Sequence, residues 1–480
     1  MPSPQRLGAK VRAMRRREGM TQSRLAEQLD ISPSYLNLIE HNKRPLPATL
    51  LIRLAQLFDL DLQEFAAHDD MLLESDLFEV FGDPMFEPLG VTNTDVQELV
   101  ATHANLGQSV LTLYEAYRGE REKASSLRER MAGEALDFSG GRPGMPSEEV
   151  SDLLQRNHNY FPEIEEAAED LWRTAKLDLN SLSTGLQQEL AERHGVRVRF
   201  ETAREMGRAV RRYDPEAKLL RISVVLPPRS RHFQLAHIVA ILSQADLLEK
   251  MSDDARLTTP ESRALAKVAL ANYYAGAVLM PYEPFLEAAR EERYDIELLG
   301  HRFRVSYEQV CHRLTCLQRP GNSGVPLYLI RIDVAGNISK KFSANSMRFP
   351  RFAGLCPKWN VFQALLRQGT IRVQLSRMSE TRVFFSVART VIRGQRGYHA
   401  THTVHAIELG CELEHAKELV YSDGIDLEHL DAVVPAGVTC RLCRLSTCEQ
   451  RALPSIYAPL KVDPNVRAEA FYTRVDEGEE

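Results

Sequence analysis

Near the C-terminal end of this 480-residue chain, the run VTCRLCRLSTCEQRALPS sets Cys440 and Cys443 in a C-x2-C pair, with Cys448 following after four more residues. A C-x2-C knuckle curls the backbone so that two thiolates converge on one metal. A four-ligand site needs one more group. Cys411 and Cys356 are the candidates, with His405 and His415 behind them, and the expected set is Cys440, Cys443, Cys448 and Cys411. Three close cysteines plus one remote cysteine suit a [4Fe–4S] cluster, and zinc fits the same ligands. Cys311 and Cys316, five apart on a helical pattern, are expected to pack as small hydrophobes.

A second cluster of chemistry-bearing residues lies near the N-terminus. Leu7, Val11 and Met14 give one apolar face, and Thr21 caps a helix whose inner face is Leu25, Ala26 and Leu29. After the turn at Asp30-Ile31, Ser32 at the N-cap and Pro33 at the first helical position start a third helix. That helix buries Leu36 and Ile39 and turns Ser34, Asn37, Leu38 and His41 outward. Asn42 sits at the expected left-handed C-cap, and Lys43 and Arg44 follow, placed for phosphate. Two helices at a tight turn, the second offering short polar groups to base edges, make a helix-turn-helix.

TQSRLAEQLDISPSYLNLIEHNKRPLP resembles the Cro/repressor-like (XRE) helix-turn-helix family over about 55 residues. By that resemblance Gln22 and Lys43 touch phosphates, and Ser34, Asn37 and Leu38 face the bases. The full expected contact set is Gln22, Ser32, Ser34, Tyr35, Asn37, Leu38, His41, Asn42, Lys43 and Arg44.

The elements that must hold these residues follow from length and charge. At 480 residues the chain is too long for one hydrophobic core. A net charge of −6 excludes a protein that coats nucleic acid along its whole length. Residues 1–47 hold nine Lys/Arg and four Asp/Glu, whereas residues 61–100 hold eleven Asp/Glu and no Lys or Arg. A basic head is therefore followed by a segment that DNA repels. No apolar run nears the roughly 20 residues of a membrane span, and no apolar core follows the basic N-terminus. A cytoplasmic protein with reduced cysteines is expected.

From Asp95 to about Met131 the apolar residues Val96, Leu99, Val100, Leu106, Val110, Leu113 and Tyr117, with His103, recur at helical steps. Such a stripe pairs subunits or packs on the chain's own next domain. A palindromic operator calls for a homodimer or a higher homo-oligomer. FSGGRPGMPS at 138–147 marks a boundary.

Beyond it, Val196, Val198 and Phe200 alternate as a strand, as does Leu219–Ile222, and helices run through RHFQLAHIVAILSQADLLE and ALAKVALANYYAGAVLMPYEPF. These two helices resemble those of a zinc metallopeptidase-like domain, whose first helix carries His-Glu-x-x-His and whose second has a glutamate before Ala-Asn. His237 matches the first histidine, but Ile238, Ile241 and Leu270 stand at the other three positions. A lone histidine makes no catalytic zinc site. Peptidase activity is therefore not expected, and the remaining apolar cleft suits a small ligand. Residues 325–345 read as a β-hairpin with its turn at Ala335-Gly336-Asn337, RVQLSRMSETRVFFSVARTVI as two antiparallel strands, and Gly410 to about Tyr421 as a helix.

The order helix-turn-helix, degenerate peptidase-like domain, then FAGLCPKWNVFQA and CRLCRLSTCEQRALP is similar to the short-chain fatty-acyl-responsive transcription regulators. The resemblance implies control of propionyl-CoA, acetyl-CoA or glyoxylate metabolism genes by a short-chain acyl-CoA effector, and an iron–sulfur cluster in at least some members. Alternatives are a redox- or iron-responsive regulator and a DNA-tethered metallopeptidase. For coenzyme A, chemistry points to Lys340, Lys341, Arg348 and Arg351 near Trp359, to Tyr160-Phe161 for a base, and to His237. The expected fold is mainly α with α+β sensor domains. A helix-turn-helix occupies 1–68, an acidic helical linker 69–147, the peptidase-like domain 148–310, and an α+β domain with the cysteines 311–480.

Overall fold

The computed structural model describes residues 11, 15, 20–40, 44, 47, 50, 53–54, 57, 73–132, 146–350, 354–378, 382–394, 402–428, 433–445 and 448–455. The chain divides into two compact units, Met1–Ser125 and Ser126–Glu480.

In the first unit, α1 (Gln22–Gln28) and α2 (Pro33–Glu40) meet at a turn in which Asp30 takes φ 57°, the left-handed conformation that Asp tolerates. Thr21 caps α1 by accepting from the Arg24 N–H, and Ser32 caps α2 by accepting from the Tyr35 N–H. Val11, Leu25, Ala26, Leu29, Leu36, Ile39, Leu50 and Leu54 form their core. Further on, α3 (residues 73–81) lies against α4 (Asn93–Ala132), which breaks at His103 with φ −140° and ψ 56°. A Cβ on Gly107 would sit 2.8 Å from Leu77, so glycine permits the close approach. The apolar stripe expected on α4 is in fact two. Val96, Val100, Leu111 and Tyr114 are buried, while Leu106, Leu113 and Tyr117 are exposed.

The second unit opens with α5 (Pro146–Arg156), α6 (Pro162–Thr174) and α7 (Leu182–His194). A three-stranded sheet follows, built from β1 (Arg197–Glu201), β2 (Arg211–Asp214) and β3 (Leu219–Ser223), with short α8 (Ala203–Met206) between the first two. Its order is β1-β3-β2, with β1 parallel and β2 antiparallel to β3. Then come α9 (Pro228–Ser243), α10 (Ala245–Ser252) and α11 (Pro260–Leu279). The long second helix read from sequence ends at Leu279, because Pro281 cannot continue it and instead starts α12 (Tyr282–Glu291). Helices α13 (Ile296–Arg302) and α14 (Tyr307–Leu314) complete the layer.

A six-stranded sheet closes the unit: β4 (Tyr328–Asp333), β5 (Ile338–Ser343), β6 (Arg372–Arg377), β7 (Val383–Arg393), β8 (Thr403–Glu412) and β9 (Val434–Pro435), in the order β5-β4-β8-β7-β6-β9. The expected hairpin and antiparallel pair are β4/β5 and β6/β7. The expected helix from Gly410 is instead the end of β8 followed by a 3-10 segment, Leu413–Glu418. One face of the sheet joins the helical core through Leu329, Phe385, Val387, Ile407, Leu409 and Cys411. The other packs Tyr328, Ile330, Phe384, Ala388 and Ala406 against Trp359 and α15 (Asn360–Leu366). Gly410 lies across from Tyr328, where a Cβ would come within 2.4 Å of the ring.

At the centre of the helical layer Arg313 and Glu165, each 1% exposed, form a two-pronged ion pair at 2.6 and 2.8 Å. Removing one partner strands a buried charge. We expect Glu165→Gln or Arg313→Met each to cost about 3–5 kcal/mol, and Glu165→Leu/Arg313→Met less than either. Denaturation followed by the fluorescence of Trp172, whose indole donates to the Val278 carbonyl in the same core, measures this.

Candidate functional site

Three groupings of side chains carry chemistry. In the helix-turn-helix, Ser34, Asn37 and Leu38 are exposed on one side of α2, with Ser32 exposed at its cap. Tyr35 is half-buried, and the Arg44 guanidinium lies 6.0 Å from its ring centre. His41, Asn42 and Lys43 lie outside the described residues. Gln22 is not free toward solvent: its Nε2 donates to Glu40 Oε2 at 2.9 Å and to Asn37 Oδ1 at 3.3 Å. Glu40 is buried and also takes two hydrogen bonds from Arg15, at 2.6 and 3.0 Å. This carboxylate sets the angle of α2 against α1. Its position at the end of an otherwise apolar inner face (Leu36, Ile39) was the only signal for it.

The second grouping surrounds the position matched to a metallopeptidase. His237 on α9 is buried, Ile238 and Leu270 belong to the helical core, and Ile241 is 38% exposed. Arg211 Nη1 lies 2.7 Å from His237 Nδ1. A guanidinium only donates, so Nδ1 accepts and the ring proton resides on Nε2. Burial, then Arg211, pushes His237 down to about 4, so it is neutral at physiological pH. No ion pair from Arg211 to a carboxylate is found among the described residues, and burial lowers it. Sequence reasoning missed Arg211, because nothing local links β2 to α9.

The other residues expected around coenzyme A do not converge. Phe161 is core, edge-on to Tyr273 at 5.1 Å. Tyr160 is half-buried, accepts from Arg319 at 3.0 Å and packs on Tyr282 at 5.9 Å. Trp359 is buried and donates to the Gly437 carbonyl at 2.9 Å, so its face offers no stacking surface. Adjacent on one strand, Lys340 and Lys341 point to opposite faces of β5. Lys341 pairs with Glu148 at 2.9 Å, while Lys340 lies 3.9 Å from Glu308. Burial would raise the Glu308 carboxyl, but Lys340, Arg393 and Arg331 together hold it down at about 2. Arg348 is half-buried, and Arg351 lies outside the described residues.

The third grouping is the cysteines. Cys356 shares its neighbourhood with Cys440 and Cys443: burial first, then their charges, raise its thiol. Burial likewise raises Cys443, with Cys448 and Cys440 adding to it. The Cys356 N–H donates to the Val438 carbonyl at 2.9 Å, tying the two loops together. Arg451 closes the loop by donating to the carbonyls of Cys440, Cys443 and Leu445. A Cβ on Gly437 would sit 2.8 Å from Cys443 Sγ. Cys411 is not in this group. It lies on the helical-core side of β8, pushed up to about 12 by burial and by Glu418 and Glu412. The fourth nearby thiol is therefore Cys356, not Cys411. His415 pairs with Glu418 at 2.7 Å, and His405 lies by Arg331 and Arg393. Among the described residues no group of three or more His, Cys, Asp or Glu is arranged to hold a metal ion. The four thiols fit zinc or an iron–sulfur cluster in donor type.

The His237 geometry has a pH consequence. The folded chain protonates this ring only near 4, whereas an unfolded histidine does so near 6.5. Stability present above 6.5 is lost as pH falls toward 4. Between pH 7 and 5, His237 should account for about 1–2 kcal/mol of that loss. His237→Gln should flatten the slope of unfolding free energy over that window by this amount, with buried His312 supplying part of the remainder.

Comparison with known proteins follows this geometry. A helix-turn-helix family profile matches residues 11–65, an IrrE N-terminal-like domain (peptidase M78) matches 191–315, and the C-terminal domain of the short-chain fatty acyl coenzyme A regulators matches 316–472. The HTH-type transcriptional regulator RamB of Mycobacterium tuberculosis is 40% identical over 95% of this chain and 96% of its own. The HTH-type transcriptional regulator PrpR of Mycobacterium tuberculosis is 38% identical over 98% and 96%. A propionyl-CoA carboxylase regulator of Cereibacter sphaeroides is 37% identical over 98% of both chains. The solved structure of a Mycobacterium tuberculosis transcriptional regulator matches with TM-score 0.66 and 39% identity, over 69% of this chain and 100% of that one. With a helix-turn-helix, a peptidase-like core without its ligand histidine pair and this C-terminal domain in one order, the chain belongs to the family of RamB- and PrpR-type transcriptional regulators that carry the short-chain fatty acyl coenzyme A regulator domain.

Proposed function

We propose that this regulator binds operator DNA through α2 and that a short-chain acyl-CoA, such as propionyl-CoA, modulates that binding to control genes of acyl-CoA use. Ser34, Asn37 and Leu38 read base edges, while Ser32, Tyr35 and Arg44, with His41, Asn42 and Lys43 of the sequence motif, contact the backbone or flank the groove. Gln22 acts by bracing α2 as well as by reaching phosphate.

The observation that carries the effector reading is the Arg211–His237 pair. A cation with no carboxylate partner among the described residues, beside a neutral imidazole and with isoleucine and leucine at the positions matched to the peptidase's other site residues, suits holding an anion and not hydrolysing a peptide. A non-enzymatic role is part of this reading. Lys340, Lys341, Tyr160, Phe161 and Trp359 are left out of the proposed pocket, because each is already paired or enclosed. An effector must bind the DNA-competent and incompetent states unequally. Electrophoretic mobility shifts with promoter DNA should therefore move with propionyl-CoA, and Arg211→Ala should raise the half-effective concentration about tenfold. Unchanged DNA affinity at saturating propionyl-CoA would sink the effector reading while leaving DNA binding intact.

The thiols favour a second input, redox state or iron. Cys356, Cys440, Cys443 and Cys448 would hold a [4Fe–4S] cluster or zinc. A bound cluster would supply one-electron chemistry, whereas zinc would only clip the loops together. Anaerobic purification with iron and sulfide analysis tests it. About four irons per chain are expected, lost in Cys356→Ser and retained in Cys411→Ser. The reverse pattern would restore Cys411 as the fourth ligand.

A further inference from the structure

We propose that the outer face of the three-stranded sheet contacts the phosphate backbone of DNA, in addition to the helix-turn-helix. The proposal rests on the reading that this chain binds DNA and is independent of the effector reading. Residues 197–231 contain ten Lys/Arg and four Asp/Glu, a strongly basic stretch in a chain of net charge −6.

Strand alternation sorts these charges by face. Val198, Leu220, Ile222 and Tyr213 turn toward the helical core, and Arg211 points the same way, to His237. Their neighbours face outward. On that outer face Arg199 lies opposite Arg221, and Arg221 lies opposite Arg212, so three arginines form one row across all three strands. Arg197 stands beside the row, two residues along β1. Like charges directly opposite one another destabilise a sheet. Only Arg221 is neutralised, by Glu201 at 3.3 Å. Arg197, Arg199 and Arg212 are exposed and have no ion-pair partner among the described residues. Asp214, on the same face, accepts from the Ala217 N–H at 3.0 Å instead. A row of this kind is unfavourable in the isolated sheet and becomes favourable when an anion lies across it.

Geometry selects the anion. A pocket for one phosphate converges its donors on a point, whereas these side chains stand side by side on an open face. The row spans roughly 10 Å, two strand spacings of about 4.8 Å. That length suits a line of phosphates, since one DNA strand advances about 3.4 Å per phosphate. The planar guanidinium fork also matches phosphate oxygens. A stable protein partner needs an apolar centre. On this face Leu219 is buried, and Val210, at the edge, is 36% exposed. Phosphate contacts carry no sequence information, so base discrimination stays with α2.

Binding of the full chain to a mixed-sequence DNA duplex of about 40 base pairs, followed by fluorescence anisotropy over a range of salt, tests the proposal. Arg197→Gln/Arg199→Gln/Arg212→Gln should lower the slope of log affinity against log salt by about 2–3 and weaken low-salt binding at least about tenfold. Its thermal midpoint should stay level or rise, because the like-charge row is relieved. Arg173→Gln/Arg256→Gln/Arg302→Gln makes the same replacements at exposed positions elsewhere in the unit and should leave the slope unchanged. An unchanged slope in the sheet variant, or an equal drop in the second variant, overturns the proposal. An acidic protein partner for this face would give the first of these results. A wild-type chain that binds no DNA at any salt overturns the DNA-binding reading itself, and this proposal with it.

Discussion

The second unit depends on the ion pair between Glu165 and Arg313. Arg313 engages all three guanidinium nitrogens: Nη1 and Nη2 on Glu165 and Nε on the Met280 carbonyl, with its flat faces near Tyr273 and Tyr282. Glu165 also accepts from the Tyr273 hydroxyl at 2.6 Å. A buried charge pair is tolerable only when its remaining groups are satisfied in this way. The contact therefore locks together α6, the end of α11 and α14, which no local sequence feature would join. Arg319 repeats the theme nearer the surface, lying 4.2 Å over the Tyr282 ring and pairing with Glu169 and Glu283.

That lock bears on where the parts of the chain begin and end. A boundary at residue 310 falls inside α14, and the family profiles meet at 315/316, just after it. Yet one continuous core runs from Phe161 to Val433 and takes in one face of the six-stranded sheet. The peptidase-like and C-terminal regions match separate family profiles and share one hydrophobic interior.

The parts legible in sequence are those specified locally. Thr21, Asp30, Ser32 and Pro33 announce the helix-turn-helix by capping and turn chemistry, and each behaves as that chemistry dictates. The hairpin turn at Gly336, with φ 83°, belongs with them. Resemblance located α9 and α11 and their missing ligands. What stayed hidden is long-range or two-sided. β8 is buried on both faces, so its residues lack the polar alternation that marks a half-exposed strand, and its end read as a helix. Phe161 and Trp359 are aromatic groups that satisfy the interior instead of a ligand. Cys356 and Cys411 belong to separate cores, which spacing from Cys440 cannot reveal. Arg211 and Glu40 gain their roles only from partners on other elements.

Strand β8 has a further mechanical meaning. Ala406, Glu408 and Gly410 face one interior and Ile407, Leu409 and Cys411 the other, and Glu408, fully enclosed and pushed up to about 7 by burial, is pinned by the Tyr328 hydroxyl and the Val361 N–H. A slip of one residue would exchange the two sets and drive a carboxyl into the helical core. The strand has no small adjustments available along its length. It is gripped from both sides, so one strand holds the helical layer and the layer of Trp359 in a single register, and the Trp359 indole ties that second layer to the backbone at Gly437, just ahead of the cysteine loop.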